Sequence, residues 1–185
     1  MLYVSLATGP IYALHSATGK TKWAFSQSAT VVTSPVLTPD GATLFFATYN
    51  NSLLAVNTKD GSPKWSFDIK GPNYGSRPAV SADGKKVFVG SDAGNLYAVH
   101  VGSGIQDWVL NTGDAVNSPP HVSKDGTTIY VGSDSGNVHA VDVATGAPKW
   151  TFRADGSVKA EPVESADGAA IFFGTKNGTF YAVHA

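Results

Sequence analysis

Six residues of this 185-residue chain carry side chains suited to recognising another molecule and stand where the sequence varies from one segment to the next: Tyr74, Arg77, Asn117, His121, Lys159 and Glu161. Arg and Lys offer charged donors to carboxylates or phosphates, and Tyr adds broad apolar contact with a polar tip. That is binding chemistry. A catalytic set is harder to assemble. The chain has no cysteine, which removes disulfides, thiolate nucleophiles, cysteine-ligated metals and haem attachment together. Its five histidines, His15, His100, His121, His139 and His184, keep no zinc-ligand spacing, and several fall at alternating positions that read as partly exposed strand residues. The stretches "SDAGN" and "SDSGN" lack the sustained alternation of carboxylates that a calcium loop needs, and read as hairpin turns. There is no phosphate loop and no Gly-x-Ser-x-Gly elbow. The residues predict no catalytic group, no metal ligand and no cofactor contact.

Bulk composition narrows the partners. Lys plus Arg number 13 against 14 Asp plus Glu, so no net charge draws the chain to nucleic acid or an anionic membrane. No stretch approaches the roughly 18 apolar residues of a membrane span, and no basic region leads into an apolar stretch at the start. Asn50 and Asn177 open Asn-x-Ser/Thr triplets at one repeat position in exposed hairpins, acceptors for glycosylation if the chain is secreted in a eukaryote.

What positions the six residues is a repeat. Trp23, Trp65, Trp108 and Trp150 are spaced by 42, 43 and 42 residues, and Pro35, Pro78, Pro120 and Pro162 keep the same beat. So do the Asp-Gly pairs beginning at Asp40, Asp83, Asp125 and Asp167. Each period reads as four short strands, as in "NSPPHVSKDG", "TTIYVGSDSG", "NVHAVDVATG" and "APKWTFRADG", ending in Gly at turns that require positive φ. Asn51 takes the place of Gly at one of them, a role Asn tolerates. No segment shows helical periodicity. Tandem four-stranded antiparallel units of this length predict an all-β propeller.

Within each period Ala, Gly and Trp recur at fixed offsets: Ala13, Gly19, Trp23; Ala55, Gly61, Trp65; Ala98, Gly104, Trp108; Ala140, Gly146, Trp150. A large indole lying between sheets needs one neighbour with no side chain and another with only a methyl group. The trio is expected to pack blade on blade. The runs "GSDSGNVHAVDVATGAPKW" and "GSDAGNLYAVHVGSGIQDW" resemble the repeat of pyrroloquinoline-quinone-like propellers, whose tryptophan-docking motif has these residues at these offsets. The resemblance covers essentially the whole chain. It implies the propeller fold and an extracytoplasmic or secreted location. It does not imply one activity, since such propellers include quinone-dependent dehydrogenases, an assembly scaffold and sensor domains. The dehydrogenases typically hold their quinone on a Trp floor beneath a cysteine pair, with Ca²⁺ bound by Glu, Asn and Asp. Here there are no cysteines and all four Trp sit at docking positions.

The expected organisation is one array: a partial blade over 1–27, blades over 28–70, 71–113 and 114–155, and a partial blade over 156–185. Counting segments gives 18 strands, two more than four blades use. Since blades of this size close as rings of roughly six to eight, the array is expected to be a segment of a longer propeller, or half of a ring completed by a homodimer, or a small ring with a surplus hairpin. The predicted function is a non-catalytic scaffold presenting a loop face to a protein or carbohydrate-like partner. The alternative is a fragment of a quinone-dependent dehydrogenase whose catalytic residues lie in other blades. In either case Tyr74, Arg77, Asn117, His121, Lys159 and Glu161, which flank the marker prolines or lie in the loops leading to them, form the face to test.

Overall fold

A computed structural model describes residues 1–6, 9–26, 30–31, 33–73 and 75–185. Among them the chain forms eighteen strands and no helix. They make five antiparallel sheets, each a simple meander. The first holds β1 (Leu2–Ser5), β2 (Ile11–Leu14) and β3 (Thr21–Phe25). The second holds β4 (Val36–Leu37), β5 (Thr43–Ala47), β6 (Ser52–Asn57) and β7 (Pro63–Asp68). The third holds β8 (Ala79–Val80), β9 (Lys86–Gly90), β10 (Asn95–His100) and β11 (Gln106–Asn111). The fourth holds β12 (His121–Val122), β13 (Thr128–Gly132), β14 (Asn137–Asp142) and β15 (Pro148–Arg153), and the fifth β16 (Val163–Glu164), β17 (Ala170–Gly174) and β18 (Phe180–His184). The strands thus total the eighteen that the segment count requires.

The middle strands are apolar on both faces because both are covered. Along β5, Phe45 and Ala47 pack toward the third sheet while Leu44 and Phe46 pack toward the first, and all are buried. Four apolar clusters accordingly fill the four spaces between successive sheets. The three inner sheets are thus wedges held from two sides, the arrangement of neighbouring propeller blades.

The docking trio works as a relay between repeats. Trp23 lies across its own strand pair from Ala13, and Trp65, Trp108 and Trp150 likewise face Ala55, Ala98 and Ala140. The Gly that makes room comes from the next repeat. A Cβ on Gly61 would lie 2.8 Å from the Trp23 ring, one on Gly104 2.7 Å from Trp65, and one on Gly146 2.6 Å from Trp108. All three glycines also have positive φ, between 71° and 76°. Three of the four indole N–H groups donate across a seam: Trp23 Nε1 to Thr58 O (2.9 Å), Trp65 Nε1 to Val101 O (2.8 Å) and Trp108 Nε1 to Val143 O (3.1 Å). A β-bulge recurs directly after the motif Ala in all four strand pairs and places the residue before each Trp as the extra one.

The Asp-Gly turns are also repeated in chemistry. The hydroxyls of Thr38, Ser81, Ser123 and Ser165 donate to Asp40, Asp83, Asp125 and Asp167 at 2.5–2.6 Å, holding each carboxyl below its ordinary range. Asn51 has φ 64°, as the turn requires. Lys70, at φ 51°, also takes the left-handed conformation, with its N–H bonded to Asp68 Oδ1 at 2.9 Å.

Candidate functional site

The loops that lead into the innermost strands are tied to one another before any charged group is considered. Ser76 Oγ donates to Ser118 O at 3.1 Å, and Ser118 Oγ to Ala160 O at 2.8 Å, each bond linking equivalent loops 42 residues apart. Both serines are fully buried. The hydroxyl chain gives Arg77, the Asn117 loop and Glu161 a common rigid base.

On that base the sequence-predicted residues separate into two clusters. In the first, Arg77 Nη2 pairs with Glu161 Oε2 at 2.8 Å, crossing from the third sheet's loop to the fifth's. His121, from the intervening fourth sheet, places Nδ1 3.6 Å from Glu161 Oε1. Its Nε2 is buried and has no hydrogen-bond partner among the described residues. In the second cluster, Asn117 Nδ2 donates to Asp134 Oδ2 at 3.2 Å and Lys159 Nζ lies 3.1 Å from the same oxygen, while Ser157 Oγ donates to Asp134 Oδ1 at 2.9 Å. Five of the six residues therefore fall into two sets, Arg77 and His121 around Glu161 and Asn117 and Lys159 around Asp134. Tyr74 lies outside the described residues.

Sequence reasoning missed Asp134 and Asp92, reading both as turn residues of "SDSGN" and "SDAGN". The available signal was positional. Tyr49, Asp92, Asp134 and Lys176 occupy one repeat position and differ, as the loop residues do. Burial alone would raise the Asp134 carboxyl, but the Ser157 hydroxyl, Lys159 ammonium and Asn117 amide outweigh it and leave it below its ordinary value. Asp92 goes the other way. Burial, with Asp134 and Asp114 nearby, raises its carboxyl despite the Asn117 amide, and Oδ1 is buried with no hydrogen-bond partner among the described residues.

The histidines depart from expectation at one place. His139 is buried, 8% exposed, rather than partly exposed. It fills the position held by Tyr12, Tyr97 and Tyr181 in other sheets. Its Nδ1 lies 3.1 Å from Thr151 Oγ1, and burial holds its pKa below the ordinary value. Among the described residues, no three His, Asp or Glu side chains gather as a metal site would need. At the two Asn-x-Ser/Thr triplets, Asn50 is exposed, and the Asn177 amide donates to Asp155 O at 2.6 Å.

Fold and face together define a sector of a β-propeller whose repeated residues are consumed by packing and whose variable residues share one side. Residues 1–185 match the family model described as "Outer membrane protein assembly factor BamB", and the chain belongs to that family of pyrroloquinoline-quinone-like propeller repeats. It is 31% identical over 111 residues to outer membrane protein assembly factor BamB of Yersinia pestis, a match covering 58% of this chain and 27% of that protein. The crystal structure of BamB from Moraxella catarrhalis superposes with a TM-score of 0.84 at 20% identity, covering 98% of this chain and 54% of the other. The chain thus spans about half the length of the solved relative it matches. The Yersinia pestis relative is named as an assembly factor and neither relative as an enzyme, in agreement with the non-catalytic expectation.

Proposed function

We propose that the chain is a non-catalytic protein-binding module, one sector of a longer propeller, whose loop face built on Arg77, Asn117, His121, Lys159 and Glu161 receives a partner protein. One observation carries the reading: the residues that repeat are engaged between sheets, while charged side chains that do not repeat are gathered from three successive repeats onto one rigid, hydroxyl-linked base. Rigid loop platforms of this kind are where proteins place recognition. The family's name adds that its assembly role concerns outer membrane proteins, which supports a protein ligand ahead of a carbohydrate and a location outside the cytoplasm.

The test is binding of a urea-unfolded outer-membrane β-barrel protein, diluted onto the immobilised chain. The double variant Arg77→Ala, Lys159→Ala is expected to weaken binding by tenfold or more while its melting temperature stays within a few degrees. Equal binding by the two proteins would remove the face from the site. A saturable absorbance change on titration with pyrroloquinoline quinone and Ca²⁺ would instead favour the dehydrogenase alternative. Light scattering across a dilution series tests the homodimer, whose signature is twice the chain mass.

A further inference from the structure

The seams between successive sheets are alike at the docking Trp and differ two residues beyond it, where Phe25, Phe67, Leu110 and Phe152 stand. Phe25 meets Phe46 of the second sheet, Phe67 meets Tyr97 of the third and Phe152 meets Tyr181 of the fifth, with ring centroids 5.4–5.8 Å apart. Edge-on ring pairs hold beyond the area they bury. Between the third and fourth sheets the places of Phe67 and Tyr97 are taken by Leu110 and His139, and no ring pair crosses that seam among the described residues.

The replacement also changes how the buried polar group is satisfied. The hydroxyls of Tyr97 and Tyr181 accept bonds from Asn95 Nδ2 at 3.1 Å and Asp155 N at 3.2 Å. The shorter imidazole has Thr151 Oγ1 beside Nδ1, while Nε2 is buried with no hydrogen-bond partner among the described residues. An imidazolium donates from both nitrogens. In the closed seam one of those N–H groups would be buried without an acceptor, which is the costly case. Val131 and Thr151 flank His139 in its own sheet and Leu110 holds the facing position, none of them charged. Along β15, Arg153 bonds Asn137 and Lys149 bonds Thr128. The other charges stand at the ends of the seam: Asp92 and Asp134 beside Asn117, and at the far end Lys86, Asp107 and His100, where Lys86 pairs with Asp107 and donates to Val143 O and Ala144 O. Burial alone, with no contribution from these charges, holds the His139 pKa below its ordinary value.

Only an opened seam, with water at Nε2, takes up the proton as pH falls through about 6.5, so acid favours opening at this place. The other seams hold Leu54, Tyr97 and Tyr181 there and gain nothing from acid. We propose that the third–fourth seam is an acid-opened joint, and that it regulates the partner face by parting Arg77 of the third sheet's loop from Glu161 of the fifth's. This regulation rests on that face being the partner site. A partner seated on both loops would hold the joint shut, since binding to the closed form alone opposes opening.

The indole N–H groups read the seams one by one, because Trp23, Trp65 and Trp108 donate across successive seams to Thr58 O, Val101 O and Val143 O. Hydrogen exchange of these three protons is followed by NMR in the whole chain at pH 7.5 and 5.5, with Trp23 and Trp65 correcting for the intrinsic effect of pH. The expected result is a loss of protection at Trp108 of about tenfold relative to the other two, absent in His139→Tyr. Should that variant fold poorly, His139→Leu, which copies Leu54, serves in its place. Equal loss at all three indoles, or a loss at Trp108 that survives the substitution, would overturn the joint. At pH 5.5 a saturating urea-unfolded β-barrel protein is expected to restore protection at Trp108 by about fivefold or more. Binding without restoration would overturn the regulation. No binding at either pH, with Trp108 behaving as expected, would count against the face as partner site while supporting the joint.

Discussion

Trp65 and Arg77 are neighbours in sequence and opposites in reach. Trp65 meets Gly104 in the very next sheet, and Trp23 and Trp108 repeat that step at their own seams, whereas Arg77 passes the fourth sheet to pair with Glu161 of the fifth. The seam is an apolar fit between adjacent repeats, indifferent to which repeat it joins. The face is an electrostatic arrangement that occurs once among the described residues. Repetition therefore carries the packing here, and departure from repetition carries the side chains of the proposed partner face.

The contrast can be broken most severely at the seam. Gly146→Ala would place a Cβ 2.6 Å from the Trp108 ring at φ +74°, whereas Gly19→Ala has a similar φ of +68° with nothing within 4 Å. We expect chemical denaturation to show a loss of about 3 kcal/mol for the first, combining overpacking with left-handed strain, and about 1 kcal/mol for the second. Similar losses would mean that the Trp slot is not what the glycine serves.

A second, smaller effect depends on pH. His139 stays neutral in the folded protein below the pH at which it would protonate in the unfolded chain, since burial lowers its pKa from 6.5. Its stabilising contribution is then full above about pH 6.5 and declines as pH falls through that value, because only the unfolded chain takes up the proton. The variant His139→Tyr, copying three other sheets, should retain its melting temperature from pH 7.5 to 5.5 better than the parent chain. Asp92 has the opposite sign. Its raised pKa means that ionisation disfavours the fold as pH rises through the folded value, so Asp92→Asn should melt a little higher at pH 7 and show no gain at pH 3. The smallest change is expected on the loop face. Glu161→Gln removes a half-exposed ion pair with Arg77, so it should cost about 0.5 kcal/mol, less in high salt, even where partner binding falls sharply.

The period, the strand count and the Ala, Gly and Trp roles were legible in the sequence because they are local patterns copied several times. That Gly61, Gly104 and Gly146 each serve the preceding repeat's Trp was not, since spacing alone does not tell a contact inside a repeat from one between repeats. The face was legible only as a set of varying positions. The pairing of Arg77 with Glu161, 84 residues apart, depends on how far the array curves, which no pairwise pattern records. Asp134 was hidden for another reason: Asp is an ordinary hairpin residue, and its second role appears only when Asn117, Ser157 and Lys159 arrive from following repeats. His139 was misjudged because His at an alternating position gives no sign of how closely the next sheet packs.

The relay of each Trp into the following repeat's Gly has a bearing on how such chains change in length. The segment copied by a gene duplication and the joint closed by folding are out of step by one sheet, so excising or inserting a whole 42- or 43-residue period leaves every newly made boundary with a ring on one side and a vacant slot on the other. The number of repeats can then drift over evolutionary time, or be reset by a protein engineer, without a new joint having to be invented.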